Sequence, residues 1–473
     1  MVFSSLLFLF FFLPVALGIF YGVSLLTRHH QVTCCWALTA LSLAFYFWGS
    51  GAFVLLIVAS ILLNWWVGQQ LARVRSRMLL LAAVALNLSA LVYFKYARFL
   101  LDNLGLLGGW KFAPDFHPYL PVGVSFFTFM SIAYLVDVYR REQEPARLHD
   151  YATYLTLFPH LVAGPIVRYR ELAQDLSALR RPGLGLFNAG ILRFAQGLGM
   201  KVIVADNLAV TADKIFALEP AALTPGVAWL GALTYTFQIY FDFAGYSAMA
   251  IGLALMFGFH FPENFDQPYR AASITEFWRR WHMTLSRFLR DYVYIPLGGN
   301  RKGNLRTYVN LVLVFFLCGL WHGAAWTFVA WGLYQGALLI AERLLKDRWG
   351  LAPRGVAGIA LTFLLTCFGW ALFRSETLAG AGQFLATMLG WPPAATPGVM
   401  APTLASFQDP LLVVLLVVAV VVSFTPADLL TRRPAGQGRV AFVAHALASL
   451  VLLAAGSAYA MSNSYKPFIY FRF

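Results

Sequence analysis

Apolar stretches of about twenty residues recur from one end of this chain to the other, and they decide what it can fold into. A bilayer core of ~30 Å is crossed by about 20 helical residues, and only structures that satisfy their own backbone survive there. Such stretches begin near Val2, Thr33, Ser50, Met78, Leu120, Leu184, Gly226, Tyr308, Gly323, Gly355, Leu411 and Val440. They predict an all-α polytopic membrane protein with about twelve transmembrane helices, treated as a single membrane-embedded domain over residues 1–473. Composition agrees. Hydrophobic types make up 60% and charged types 12% of the 473 residues, with mean hydropathy +0.68, against roughly 25% charged for a soluble domain.

The first stretch has no basic residue before Phe3 and stays apolar to about Leu26, too long for a signal-peptide core, so it reads as a retained helix. A net charge of +14 would suit nucleic acid, yet the basic residues alternate with the apolar stretches as the positive-inside rule requires. No nucleic-acid partner is expected; the lipid bilayer is. With the N-terminus outside, inner segments take Arg28, Arg73, Arg140, Arg168, Arg180, Arg279, Arg301, Lys302, Arg343, Lys346, Arg432, Arg433 and their basic neighbours. Both termini then lie outside. Cys34, Cys35, Cys318 and Cys367 fall in apolar segments without metal-type spacing, so neither a metal site nor a disulfide framework is expected.

Two regions do not read as ordinary spans. Residues 151–167 (YATYLTLFPHLVAGPIV) are broken by Pro159, Gly164 and Pro165. They are expected to re-enter on the side they left, because broken backbone at membrane depth needs protein or a cavity to satisfy it. Residues 273–297 open with Ser273 and Glu276, a capping-box pattern. At helical spacing, Phe277, Trp278, Trp281, Leu285, Phe288, Leu289 and Tyr292 share one face, and Arg279, Arg280, Arg287 and Arg290 another. That pattern predicts an amphipathic helix lying in the membrane interface, with His282 at the edge of its apolar face. Gly/Pro-rich outer segments at residues 98–118 and 375–410 are candidate docking surfaces for something outside.

An ionisable group within a span marks a functional site by default. His322 is the sharpest case, in FFLCGLWHGAAW between Gly319 and Gly323, small residues that admit a substrate or a neighbouring helix. It is either a neutral histidine bonded to a carbonyl or a proton-transfer residue. His282 is a weaker second candidate, balanced against an interfacial histidine. Asp242 is deep in a span, whereas Asp137 caps a helix or pairs with Arg140. His160 lines a cavity or bonds to freed backbone; His29, His30, His117, His149, His260 and His445 read as interface or packing residues. The loop PLGGNRKG, with Arg301 and Lys302, either cradles phosphates or is a turn obeying the positive-inside rule.

The two long motifs FWRRWHMTLSRFLRDYVYIPLGGNRKG and FFLCGLWHGAAWTFVAWGLYQG resemble the membrane-bound O-acyltransferase family, in its bacterial branch that acetylates exported polysaccharide. YFKY, PVGVSFFTFMSIAYLVDVYR, LVAGPIVR, FQIYFDFAGYSAMAIGLA and PFIYFRF extend the likeness over nearly the whole chain. The resemblance implies a protein partition at mid-membrane pierced by a central tunnel, in a bacterial inner membrane. It places the catalytic histidine at His322 and the second motif position at His282. It also implies acetyl-CoA as cytoplasmic acyl donor, with Arg301, Lys302, Trp321 and Asp242 as candidate donor-binding residues. His322 is expected to act as general base for an acceptor hydroxyl, and His282 to orient or polarise the thioester. The acceptor implied is a polysaccharide of alginate or cellulose type, reached through a separate periplasmic SGNH-type protein with a nucleophilic serine. Two alternatives stay open: D-alanyl transfer to teichoic acid, and a proton-coupled transporter.

Overall fold

A computed structural model describes residues 2–27, 30–108, 116, 118–179, 181–394, 401–407, 409–425 and 439–462. Arg28, His29, His117, Arg180, Arg432, Arg433 and the C-terminal PFIYFRF lie outside the described residues, as do the side chains of His30 and His445. Regular structure among the described residues is entirely helical.

Among the described residues, six helices are long and apolar enough to cross a membrane: Phe8–Leu26, Gln31–Val74, Arg77–Leu106, Pro225–Met256, Gly303–His322 and Gly355–Arg374. The second covers two expected spans, those beginning near Thr33 and Ser50, with a 3-10 turn at Gly51–Phe53 between them. Pro410–Phe424 and Leu450–Tyr459 are shorter apolar helices within the last two expected spans. Val124–Arg140, Leu184–Gly199 and Trp326–Trp349 are helical as well, but the first two are short and the third ends in charged turns. The architecture is therefore the expected helical one, while the count of twelve crossings is not reached by length and apolarity.

The described residues form two compact units. The first draws on described residues within 2–197, 246–263 and 445–462, the second on described residues within 198–245 and 264–444. In the first, Phe8 is fully buried among Phe3, Phe12, Phe45 and Phe158, with ring centroids 5.0 to 6.2 Å away. A Cβ on Gly190 would stand 2.7 Å from the Gly252 carbonyl oxygen, so two helices meet there backbone to backbone.

Residues 151–167 are wholly buried and split into the Leu148–Thr156 helix, the four-residue Phe158–Leu161 turn of helix and irregular backbone. The break is satisfied internally. His160 Nε2 lies 2.7 Å from the Tyr154 carbonyl oxygen, Tyr154 Oη donates to the Val167 carbonyl and Phe158 N–H donates to Ser42 Oγ. This is the condition under which non-helical backbone is tolerated at membrane depth.

In the second unit, Gly303–His322 and Trp326–Trp349 form an antiparallel helical hairpin. A Cβ on Gly319 would stand 2.3 Å from the Phe328 carbonyl oxygen, and one on Gly332 would stand 2.2 Å from that of Phe315. Only glycine permits this approach at either position. Of the two roles open to Gly319, admitting a neighbouring helix is the one seen.

Candidate active site

His322 is the last residue of the Gly303–His322 helix, which ends because Gly323 turns to extended backbone at φ −167°. Its imidazole is 4% exposed and walled by three aromatic rings. Trp321 lies 4.9 Å away between centroids, Trp331 5.0 Å and Phe373 5.2 Å, all near edge-to-face with interplanar angles of 72°, 89° and 81°. Perpendicular aromatic packing is favourable, and here it orients the ring. The wall continues outward, since Trp331 stacks on Trp370 and Trp370 packs against Trp281.

His282 reaches the same wall from another element. The expected continuous helix over residues 273–297 is broken into Ile274–Arg280, Met283–Leu289 and a π-helical turn at Arg290–Tyr294. The break falls on His282, which adopts left-handed backbone at φ 42°, ψ 54°, a strained choice for a residue with a Cβ. The orphaned groups at the break are captured by the segment just upstream: Asp266 N–H donates to the Arg280 carbonyl, and Met283 N–H donates to the Asn264 carbonyl. The helical faces nonetheless came out as the spacing implied. Phe277, Trp278, Trp281, Leu285, Phe288 and Leu289 are buried, while Arg279 and Arg290 are exposed. Ser273 caps the first helix by accepting from Glu276 N–H, but the Glu276 carboxylate accepts from Ala272 N–H, so the box is shifted by one residue.

The His282 imidazole is completely buried. Phe243 packs edge-on at 4.7 Å, and Trp321 lies at 5.8 Å. Trp321 therefore contacts both histidines. Nδ1 of His282 is 3.0 Å from Asn264 Oδ1, and Nε2 has no hydrogen-bond partner among the described residues. The residue is outside the six long apolar helices, and burial alone pushes its imidazole down to about 3, so it is neutral at ordinary pH.

The remaining candidates are dispersed. Asp242 lies with its Oδ1 2.8 Å from Lys201 Nζ, and Lys201 also meets Asp206. Arg301 and Lys302 are exposed, at the opposite end of the 20-residue helix that finishes at His322, about 30 Å away at 1.5 Å per residue. Asp137 is buried and pairs with Arg170. His149 pairs with Asp150, and His260 is a surface residue on Asp175. Among the described residues no three His, Cys, Asp or Glu side chains converge as a metal site. Sequence reasoning missed Asn264, Trp331, Phe373 and Lys201, each brought in by a contact with a different element of the fold.

Two histidines against one tryptophan, in an all-helical membrane chain, narrow the comparison with known proteins. Residues 74–354 match the membrane-bound O-acyltransferase family, MBOAT. The chain belongs to that family. It is an O-acyltransferase, and its relatives carry related names. A probable alginate O-acetylase, AlgI, of Azotobacter vinelandii is 42% identical over the full length of both chains. Its counterpart of the same name from Pseudomonas putida is 46% identical, covering 83% of this chain and 81% of its own. A peptidoglycan O-acetyltransferase of Helicobacter pylori is 36% identical over 82% of this chain and 80% of its own. The MBOAT match spans both His282 and His322.

Proposed function

We propose that this MBOAT protein, acting as one acyltransferase domain, takes acetyl groups from cytoplasmic acetyl-CoA and delivers them across the bacterial inner membrane for O-acetylation of an exported polysaccharide. Alginate is the first acceptor to try, because that is the substrate in the names of the AlgI relatives. The observation that carries the reading is the His322 imidazole, nearly excluded from solvent and oriented by Trp321, Trp331 and Phe373. A buried imidazole held in one orientation suits proton transfer from a hydroxyl to be acylated. Removing water also protects a thioester from hydrolysis.

In this reading His322 takes the proton of the acceptor hydroxyl as its oxygen bonds to the acyl carbon, the carbon–sulfur bond breaks and the proton passes on to the departing CoA thiolate, and Trp321 forms the wall common to both histidines. Arg301 and Lys302, a helix length from the chemistry, gather the anionic donor at the cytoplasmic mouth by steering. Asp242 holds Lys201 and supports the fold. The recipient is a periplasmic SGNH-type protein with a nucleophilic serine, docking on the outer segments at residues 98–118 and 375–410, and both termini face the periplasm.

The test is acetyl transfer and thioester hydrolysis with labelled acetyl-CoA by purified protein in liposomes, against His322→Ala. Turnover by the parent and none by a folded variant is expected. Equal activity in both would remove His322 from the chemistry, and turnover only with an aminoacyl carrier-protein thioester would move the donor to the D-alanyl class.

A further inference from the structure

Asn264 is fully buried, as is His282, and its side-chain oxygen is a point of convergence. Oδ1 is 3.0 Å from His282 Nδ1, accepts from Thr284 Oγ1 at 2.9 Å and from Thr284 N–H at 3.3 Å. A backbone N–H can only donate, so the Asn264 atom facing it is the carbonyl oxygen and not the amide nitrogen. An oxygen that accepts from two other groups offers His282 Nδ1 nothing but another acceptor site. Nδ1 must carry the proton, and in a neutral imidazole Nε2 then holds the lone pair. That lone pair belongs to the buried Nε2, which has no hydrogen-bond partner among the described residues.

We propose that Asn264 is a positioning residue that locks His282 in its Nδ1–H tautomer, so that Nε2 meets the substrate as a hydrogen-bond acceptor. This deepens the acyltransferase reading and rests on it. It changes the part His282 plays: an acceptor nitrogen cannot polarise a thioester carbonyl, which needs a donor, but it can receive the hydrogen bond of an acceptor hydroxyl and aim its oxygen. The strained backbone of His282 belongs to the same device, since the left-handed turn at φ 42° immediately precedes Met283, whose N–H donates to the Asn264 carbonyl, and Thr284, which donates to the Asn264 side chain.

The experiment uses the full chain in detergent micelles with 15N-labelled histidine, the His282 signals being assigned by their loss in His282→Gln. A pyrrole-type Nδ1 and a pyridine-type Nε2 are expected. Asn264→Leu keeps the volume and removes the acceptor; it should mix the tautomers and lower kcat by at least about tenfold while the KM for acetyl-CoA stays within about twofold, as loss of a tautomer-setting partner does elsewhere. Asn264→Asp keeps an acceptor and should restore the tautomer and part of the lost rate. A pyridine-type Nδ1 in the parent protein overturns the proposal whether or not the leucine variant folds, and so does a folded Asn264→Leu with unchanged spectrum and kcat. A parent spectrum as expected without any acetyl transfer would instead sink the reading of acetyl-CoA as donor and leave the tautomer assignment standing.

Discussion

The ammonium of Lys201 lies 2.8 Å from the carboxylate of Asp242, with both side chains 4% exposed. Removing one partner of a buried pair leaves the other charge uncompensated, which costs about 3 kcal/mol or more. Asp242→Ala should therefore lower the thermal unfolding temperature in detergent sharply, with Asp206 retaining part of the Lys201 interaction. The KM for acetyl-CoA of the folded fraction should stay unchanged. A raised KM with unaltered unfolding temperature would return Asp242 to donor binding.

Arg301 and Lys302 present a different kind of electrostatics, exposed and remote from His322. The Arg301→Glu, Lys302→Glu double variant should lose about tenfold in kcat/KM for acetyl-CoA at low salt, and the gap should close as salt shortens the Debye length to about 8 Å and below. Initial rates across a salt series check this. A salt-independent loss in kcat would mean that the two residues act at the chemistry itself.

The hairpin of Gly303–His322 and Trp326–Trp349 depends on two positions where backbones touch. Gly332→Ala forces a Cβ to within 2.2 Å of the Phe315 carbonyl oxygen, and backbone cannot give way as a flexible side chain does. The variant should lose stability by about 2 kcal/mol or more and lose acyl transfer with it. Gly350→Ala, where a Cβ meets nothing within 4 Å, should keep its helical packing and suffer only local strain from its φ of 65°. Thermal unfolding of the two proteins side by side decides the matter.

His282 gives the fold a pH dependence. Its imidazole is pushed down to about 3 from an unfolded value of 6.5. Between those values the unfolded chain holds a proton that the folded chain refuses. The contribution is complete above pH 6.5 and shrinks as the pH falls, by about 2 kcal/mol between pH 6.5 and 5. Unfolding temperatures measured at pH 7 and pH 5 should differ less in His282→Gln than in the parent. An equal drop in both would show that His282 does not titrate on unfolding.

How far the sequence disclosed these features follows from the range of the forces involved. His322 was legible because an imidazole inside an apolar run, with glycines on either side, is costly unless used. The buried faces around His282 were legible because helical spacing survives a local break. The break itself was not, since no glycine or proline announces the left-handed backbone at His282; it is imposed by Asn264 and Asp266, residues brought alongside by the fold. Lys201 as partner of Asp242 and Phe373 as a wall around His322 are likewise contacts across long stretches of chain, and Trp331 reaches His322 from the next helix of the hairpin, so no local periodicity encodes these contacts.

The glycine contacts of the hairpin have one more consequence. Trp331 precedes Gly332, and His322 follows Gly319 by three residues, so the spacing between the imidazole and its tryptophan wall is set by main chain pressed against main chain. Rotamer changes can move the tryptophan ring, but not the main-chain separation from which it projects. A substitution at Gly319 or Gly332 would therefore shift the imidazole against its tryptophan wall without touching either ring.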